Sequence, residues 1–371
     1  MIPPFRLYAT SLTKPRLNIL FLGRDLFSCL NLKILHDASD VWESIHVVTT
    51  PDKRVGRRGK DLSVSPLKQV AKKFNLPMSF VPGDHQEWNI PHQFQSLSPA
   101  NAIITASFGH AVPTSVLDYF VPSLRLNVHP SMLPKYRGAA PIQRAIADGL
   151  SLTGVSVLQM EDVALHGFDS GPMWAQKTVA IPPNAYYRDL ESLLAYEGAH
   201  LLVNTLRNRL HIQPITQNHA LASKARLVTK RTATINWGTM DASMLHRLHR
   251  AISHQRPLQT VIRETNVSLN LLDISPTDNE MPISELDGTL TEPGDATYIP
   301  SREFIVVRCS DNTLIRVHVL QLENRRALHA KEWWNGIRPN WLSDNRILQL
   351  GHSPNVGTRK ANAHPDKVQS G

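Results

Sequence analysis

Residues 17–36 read LNILFLGRDLFSCLNLKILH. Leu17 to Leu22 is a short run with five apolar residues, it stops at Gly23, and apolar residues then recur at helical spacing from Leu26 to His36. A strand that turns at a glycine into a helix opens a βαβ unit. The pattern repeats down the chain. Runs at Ile45–Thr50 (IHVVTT), Ala102–Ala106 (AIITA), Leu124–Val128 and Gly154–Met160 (GVSVLQM) alternate with helical stretches at Ser65–Phe74, Ala140–Asp148 and Tyr187–Leu206. This predicts an α/β domain, a Rossmann-like doubly wound and mainly parallel sheet over residues 17–212. Ligands of such sheets sit outside the carboxyl ends of the strands, so chemistry is expected in the residues that follow each strand.

The pattern lapses at Gln213 to Ser223 (QPITQNHALAS), and residues 213–228 read as a linker. Beyond it, Thr232–Trp237, Thr260–Leu272, Phe304–Cys309 and Leu314–Leu322 are β-rich, with turns at Asp287-Gly288, Pro293-Gly294 and Asp311-Asn312. A helix at Ala242–Ser253 precedes most of them. Residues 229–350 are therefore expected to form a smaller β-barrel of the OB-like kind, and the polar residues 351–371 a disordered tail. The chain opens MIPPFRLYATSLTKP, basic and hydroxyl-bearing, with no acid before Asp25. Residues 1–16 thus have the pattern of a mitochondrial transit peptide, which places the protein in the matrix. No run approaches the ~18 apolar residues of a membrane span, so no membrane partner is expected. Cys29 and Cys309 are the only cysteines, which argues against a disulfide framework or a cysteine-based metal site.

Charge is uneven. Residues 1–228 hold 23 bases against 16 acids, whereas residues 229–350 are balanced at 14 each. The excess lies in two strips. One runs from Thr49 to Lys73 and includes Arg54, Arg57, Arg58 and Lys60; the other runs from Lys224 to Arg256 and includes Lys230. Such strips suit a phosphate backbone and equally suit solvated faces.

After the fourth apolar run comes NVHPSMLPKYRGAAPIQRA, residues 127–145. Strand alternation puts Asn127 and His129 on one face, and Pro130 favours an extended His129. An amide and an imidazole aimed at one point can stabilise an oxyanion; the same pair also fits a capped turn and a satisfied core histidine. Asp169 lies in a glycine-flanked turn, HGFDSGP at residues 166–172. There it can fix a histidine tautomer, accept a proton, or merely make a turn. No G-x-G-x-x-G, P-loop, H-E-x-x-H or G-x-S-x-G is present, and the histidines lack metal spacing.

Taken in order, these segments resemble the methionyl-tRNA formyltransferase family, and the mitochondrial members in particular. The likeness is carried by FLGRDLF (21–27), TTPDKRVGRRGK (49–60) with SPLKQVA (65–71), residues 127–145, and FDSGPM (168–173). Lys224-Ala225 and TINW (234–237) resemble the entry to its second domain. The resemblance implies the formyltransferase fold, with a formyl group moved from the co-substrate 10-formyltetrahydrofolate to the α-amine of initiator methionyl-tRNA. It assigns catalysis to Asn127, His129 and Asp169, and folate contacts to Ser131, Met132, Leu133 and Pro134. It assigns tRNA contacts to Arg54, Arg57, Arg58 and Lys60, which the second basic strip extends to Lys224 and Lys230. A monomer without a metal is expected. Four features depart from the family: Arg24-Asp25 after Gly23, an extra arginine in the basic loop, a longer Met160–Asp169 interval, and RAISHQRP at 250–257. Other formyltetrahydrofolate transferases, a hydrolase of that folate, and a non-enzymatic RNA-binding protein on the same fold are the alternatives.

Overall fold

The computed structural model describes residues 15–56, 59–83, 88–277 and 290–351. The chain divides into two compact units. One takes the chain to Ala145 and then Leu150–Leu227; the other takes Ile146–Gly149 and everything from Val228.

In chain order, the first part of the molecule comprises β1 (Leu17–Leu22), α1 (Leu26–Asp37), β2 (Trp42–Thr49), β3 (Lys53–Val55), β4 (Asp61–Ser63), α2 (Pro66–Lys73) and β5 (Met78–Phe80). It continues with β6 (Asn101–Ala106), α3 (Thr114–Leu117), β7 (Arg125–His129), α4 (Pro141–Ala147), β8 (Leu152–Gln159), α5 (Val163–His166), β9 (Met173–Ala180) and α6 (Tyr187–Asn208). Seven strands form one sheet in the order β5-β2-β1-β6-β7-β8-β9. β5, β2, β1, β6 and β7 are parallel. The chain runs outward from β1 through β2 to β5, then returns to place β6 on the other side of β1. The switch point of the sheet is therefore the crevice between β1 and β6.

The central strands are buried on both faces, which is why they read as apolar runs. One face packs Leu20, Leu22, Ile103, Phe94, Phe108 and Phe120 into a cluster. The other face is covered by α1 and α6. Gly198 of α6 is a requirement there, because a Cβ at that position would lie 2.8 Å from Cγ1 of Val128 in β7. The sheet also holds what periodicity missed. β9 is a half-exposed strand at the sheet edge, and β8 runs antiparallel to β7 with Leu126 opposite Gln159.

Of the expected linker, residues 213–228, all but Val228 belong to the first unit and are pinned to it by backbone pairing. Met173 and Ile215 exchange backbone hydrogen bonds of 2.8 Å in each direction, and Arg137 N–H donates to Ser223 O (2.9 Å) while Ala225 N–H donates to Arg137 O (2.7 Å). A polar, proline-containing stretch can thus be a paired edge whose partners lie far away in sequence.

The second unit contains α7 (Lys230–Ala233), α8 (Ala242–Ile252), β10 (Leu258–Ile262), β11 (Val267–Pro276), β12 (Asp295–Ile299), β13 (Phe304–Arg308), β14 (Leu314–Leu322), β15 (Leu328–His329), α9 (Ala330–Asn335) and β16 (Leu348–Gly351). The order β11-β10-β16-β12-β13-β14 closes through β11–β14 pairing into a six-stranded antiparallel barrel. Closure removes the sheet edges. The Thr232–Trp237 run is not a strand: its start is the short helix α7, and only Thr234 bridges to Gln259. Trp237 is buried, its indole N–H donating to Thr260 Oγ1 at 2.9 Å. The turn expected at Asp287-Gly288 and the tail beyond Gly351 lie outside the described residues. No described helix is long and apolar enough to cross a membrane.

Candidate active site

The register across three strands builds the site. Leu22, Thr105 and Asn127 are level on β1, β6 and β7. Thr105 Oγ1 donates to Asn127 Oδ1 (2.8 Å), with the Met160 sulfur 3.3 Å away. Asn127 Nδ2 donates to Asp169 Oδ1 (3.1 Å). A carboxylate only accepts, so these two contacts settle which end of the Asn127 amide is oxygen. One Nδ2 hydrogen remains uncommitted.

Asp169 is brought in by the loop after β8. That strand ends opposite the start of β7, so the loop folds back to deliver Asp169, whose backbone is left-handed (φ +57°). Its Oδ2 accepts from Gly138 N–H (2.9 Å) and lies 3.6 Å from Nδ1 of the buried His129. His129 Nε2 sits 2.9 Å from Tyr136 O. A carbonyl cannot donate, so Nε2 carries the hydrogen and Nδ1 faces the carboxylate. Gly138 itself has φ +113°, and a Cβ there would approach Ala225 O to 3.0 Å. The structure therefore brings Asn127, His129 and Asp169 together: Asn127 is hydrogen-bonded to Asp169, and His129 Nδ1 lies against the same carboxylate. It differs from the expected pair of donors in one respect: both His129 nitrogens already face protein oxygens, which leaves Asn127 as the free donor.

The residues assigned to folate divide. Ser131 and Leu133 are buried and committed to the loop itself. Ser131 Oγ donates to Lys135 O (2.7 Å), Leu133 N–H donates to Ser156 Oγ (3.3 Å), and Leu133 O accepts from Gln176 Nε2 (2.8 Å). Met132 and Pro134 keep partial exposure. Exposed Leu165, on α5, and Phe168 stand in the sequence just before Asp169. At the head of β1, Asp25 caps α1 by accepting from Ser28 N–H (3.2 Å) and also accepts from the Ser107 hydroxyl. Burial raises its pKa above the usual carboxylate value, against the lowering effects of Ser107, Ser28 and Arg24. Among the described residues, no group of three or more His, Cys, Asp or Glu is placed to hold a metal ion.

Of the basic residues, Arg54 and Lys60 are exposed on and beside the two-stranded ribbon β3–β4. The base of the ribbon is clasped by Lys68 Nζ on Asp52 (2.6 Å) and by Ser65 Oγ, which contacts Thr49 Oγ1 (2.7 Å) and donates to Arg24 O (2.9 Å). Arg57 and Arg58 lie outside the described residues. Lys224 is exposed on the pinned segment of the first unit, and Lys230 is exposed on α7 of the second.

Four participants escaped sequence reasoning: Thr105, Arg137, Gly138 and Gln217. Thr105 gave a faint signal as the polar residue in AIITA. Arg137 and Gly138 stood in the quoted motif without a role. Gln217 gave none, being read as linker. Its amide, 3% exposed, donates from Nε2 to Asp169 O (2.9 Å) and Gly171 O (2.7 Å), and its Oε1 accepts from Arg137 Nε (3.0 Å) and Nη2 (2.5 Å).

Residues 17–206 match the family model described as formyl transferase, and residues 227–338 match that of the formyl transferase C-terminal domain. The chain is 30% identical over 344 residues to the mitochondrial methionyl-tRNA formyltransferase of Rattus norvegicus, spanning 90% of this chain and 81% of that one. It is 32% identical over 326 residues to the methionyl-tRNA formyltransferase of Caldicellulosiruptor saccharolyticus, spanning 87% and 97%. Among solved structures, an N-formyltransferase of Helicobacter canadensis in complex with folinic acid and dTDP-3-aminofucose shares the fold at TM-score 0.56 and 16% identity, covering 81% of this chain and 98% of that one. The chain is a transferase and belongs to the methionyl-tRNA formyltransferase family.

Proposed function

We propose that this chain moves the formyl group of 10-formyltetrahydrofolate to the α-amine of methionine on initiator methionyl-tRNA, for translation initiation in the mitochondrial matrix, and that it works as a monomer. The observation that carries the chemistry is the Asn127–Asp169–His129 group with its one spare amide hydrogen. As the amine nitrogen bonds to the formyl carbon, the formyl oxygen gains negative charge, and Asn127 Nδ2–H donates to it. Asp169 accepts the proton released by the amine. His129, held between Tyr136 O and Asp169, carries positive charge beside both when protonated. The bond from the formyl carbon to the folate nitrogen then breaks, and that nitrogen takes the proton that Asp169 had accepted. One well-placed oxyanion donor is worth ~10²–10³ in rate.

In this reading Met132 and Pro134 line the folate, while Ser131 and Leu133 hold the loop in shape. Arg54 and Lys60 at the ribbon, with Arg57 and Arg58, meet tRNA phosphates, joined by Lys224 and Lys230. The basic, acid-free composition of residues 1–16 supports the mitochondrial address; of these, only Pro15 and Arg16 are among the described residues.

The test is transfer of radiolabelled formyl from 10-formyltetrahydrofolate, with charged initiator methionyl-tRNA, free methionine and uncharged tRNA compared. Label on the charged tRNA alone is expected. Free formate would instead identify a hydrolase, and an unconsumed folate would leave the RNA-binding alternative. Import of the full chain into isolated mitochondria tests the address, and light scattering tests the monomer.

A further inference from the structure

We infer that Gln217 is a positioning residue of the transfer reaction, acting through Asp169. This rests on the reading of Asp169 as the group that takes the amine's proton. Three observations carry it.

The Gln217 amide is buried and uses both ends. Its oxygen faces two guanidinium N–H groups of Arg137 and its nitrogen faces two carbonyl oxygens. Reversing the amide would set N–H against N–H and oxygen against oxygen, so its orientation is determined by its partners.

One of those carbonyls belongs to Asp169 itself, whose backbone is left-handed at φ +57°. The other, at Gly171, pins the far side of the same turn. The direction of the Asp169 carboxylate toward Asn127 and His129 is thereby tied to an amide 48 residues away.

The third observation is the frame that holds Gln217. Ile215 pairs with Met173, and Ser223 and Ala225 pair with Arg137, so the segment has no freedom to slide. This segment continues along the chain into the second unit. Arg137 adds a positive charge that interacts with the Asp169 carboxylate. Gln217 thus joins the loop after β7, the loop before β9 and the chain that leads out of the domain.

The experiment uses the full chain in single-turnover and steady-state formyl transfer. Gln217→Met keeps the volume and removes all four hydrogen bonds. Gln217→Glu keeps the length and the acceptor for Arg137 but loses both N–H donors, and it supplies a second reading should Gln217→Met fail to fold. Both are expected to lower kcat about 10- to 100-fold, as misplacement of a catalytic group does, with KM for folate and for tRNA within about twofold. In an Asp169→Asn background, adding Gln217→Met should cost less than about threefold, because the two act through one group. A near-normal kcat for Gln217→Glu, a change confined to KM, or a full multiplicative loss on Asp169→Asn would each overturn the inference. A near-normal rate for Asp169→Asn alone would bring down the underlying reading of Asp169, which is a different failure.

Discussion

The surroundings of β7 and the ribbon β3–β4 are both rich in polar side chains and use them oppositely. Around β7, Asn127, Asp169 and the imidazole of His129 face partners inside the protein. On the ribbon every residue of both strands is exposed, and among the described residues the Arg54 side chain makes one long contact, 3.5 Å to Gly59 O. Buried polar groups are held to one geometry by the cost of leaving them unpaired, whereas solvated charges stay adaptable and act at long range. The first arrangement suits bond-making. The second suits gathering a polyanion.

That contrast breaks first at Asp169. Asp169→Asn should lower the single-turnover rate of the folded variant about 10²–10³-fold, because it replaces an acceptor facing two N–H groups and an imidazole. A rate within threefold of the parent would mean the group is structural. Next comes the ribbon. Arg54→Ala with Lys60→Ala should weaken tRNA binding and flatten the slope of log K against log salt by about 0.7–0.9 per residue. An unchanged slope would remove the ribbon from the interface.

Stability separates the two regions further. Gly198→Ala forces a methyl against Val128 under β7, and overpacking of about 1–3 kcal/mol outweighs the ~1 kcal/mol that alanine gains in a helix. Leu62→Ser on the exposed ribbon should stay within about 0.5 kcal/mol in the same denaturant titration. The smallest effect is expected at Asp40, whose carboxyl is held below its ordinary value chiefly by the hydrogen bond from Arg207. A depressed carboxylate stabilises the fold above its ordinary pKa and loses that contribution as pH falls through the folded value. The pair is about half exposed, so the loss should be a few tenths of a kcal/mol, read as the difference between parent and Asp40→Asn on acidification.

What could be read from the chain follows the same division. β1 and β6 were legible because strands buried on both faces must be apolar along their length, and α1, β2 and β7 through their apolar spacing. The ribbon was legible as charge. Asn127, His129 and Asp169 were legible through a resemblance, since an N-x-H and a turn aspartate also fit bland roles. Beyond local pattern lay whatever depends on pairing between distant segments. The antiparallel run of β8 is set by register, not composition. β9 carries Gln176 and Lys177 because it lies at the sheet edge, which hides its periodicity. Gln217 sits in a stretch whose polarity suggests a linker, yet its partners at Arg137, Asp169 and Gly171 make it interior.

The most direct measurement is formyl transfer to charged initiator methionyl-tRNA by the parent chain and by Asn127→Ala, in single turnover with both substrates saturating. The account predicts labelled tRNA from the parent and a rate about 10²–10³-fold lower from the folded variant. A variant as fast as the parent would contradict it, because the one uncommitted donor of the group would then have no part in the reaction.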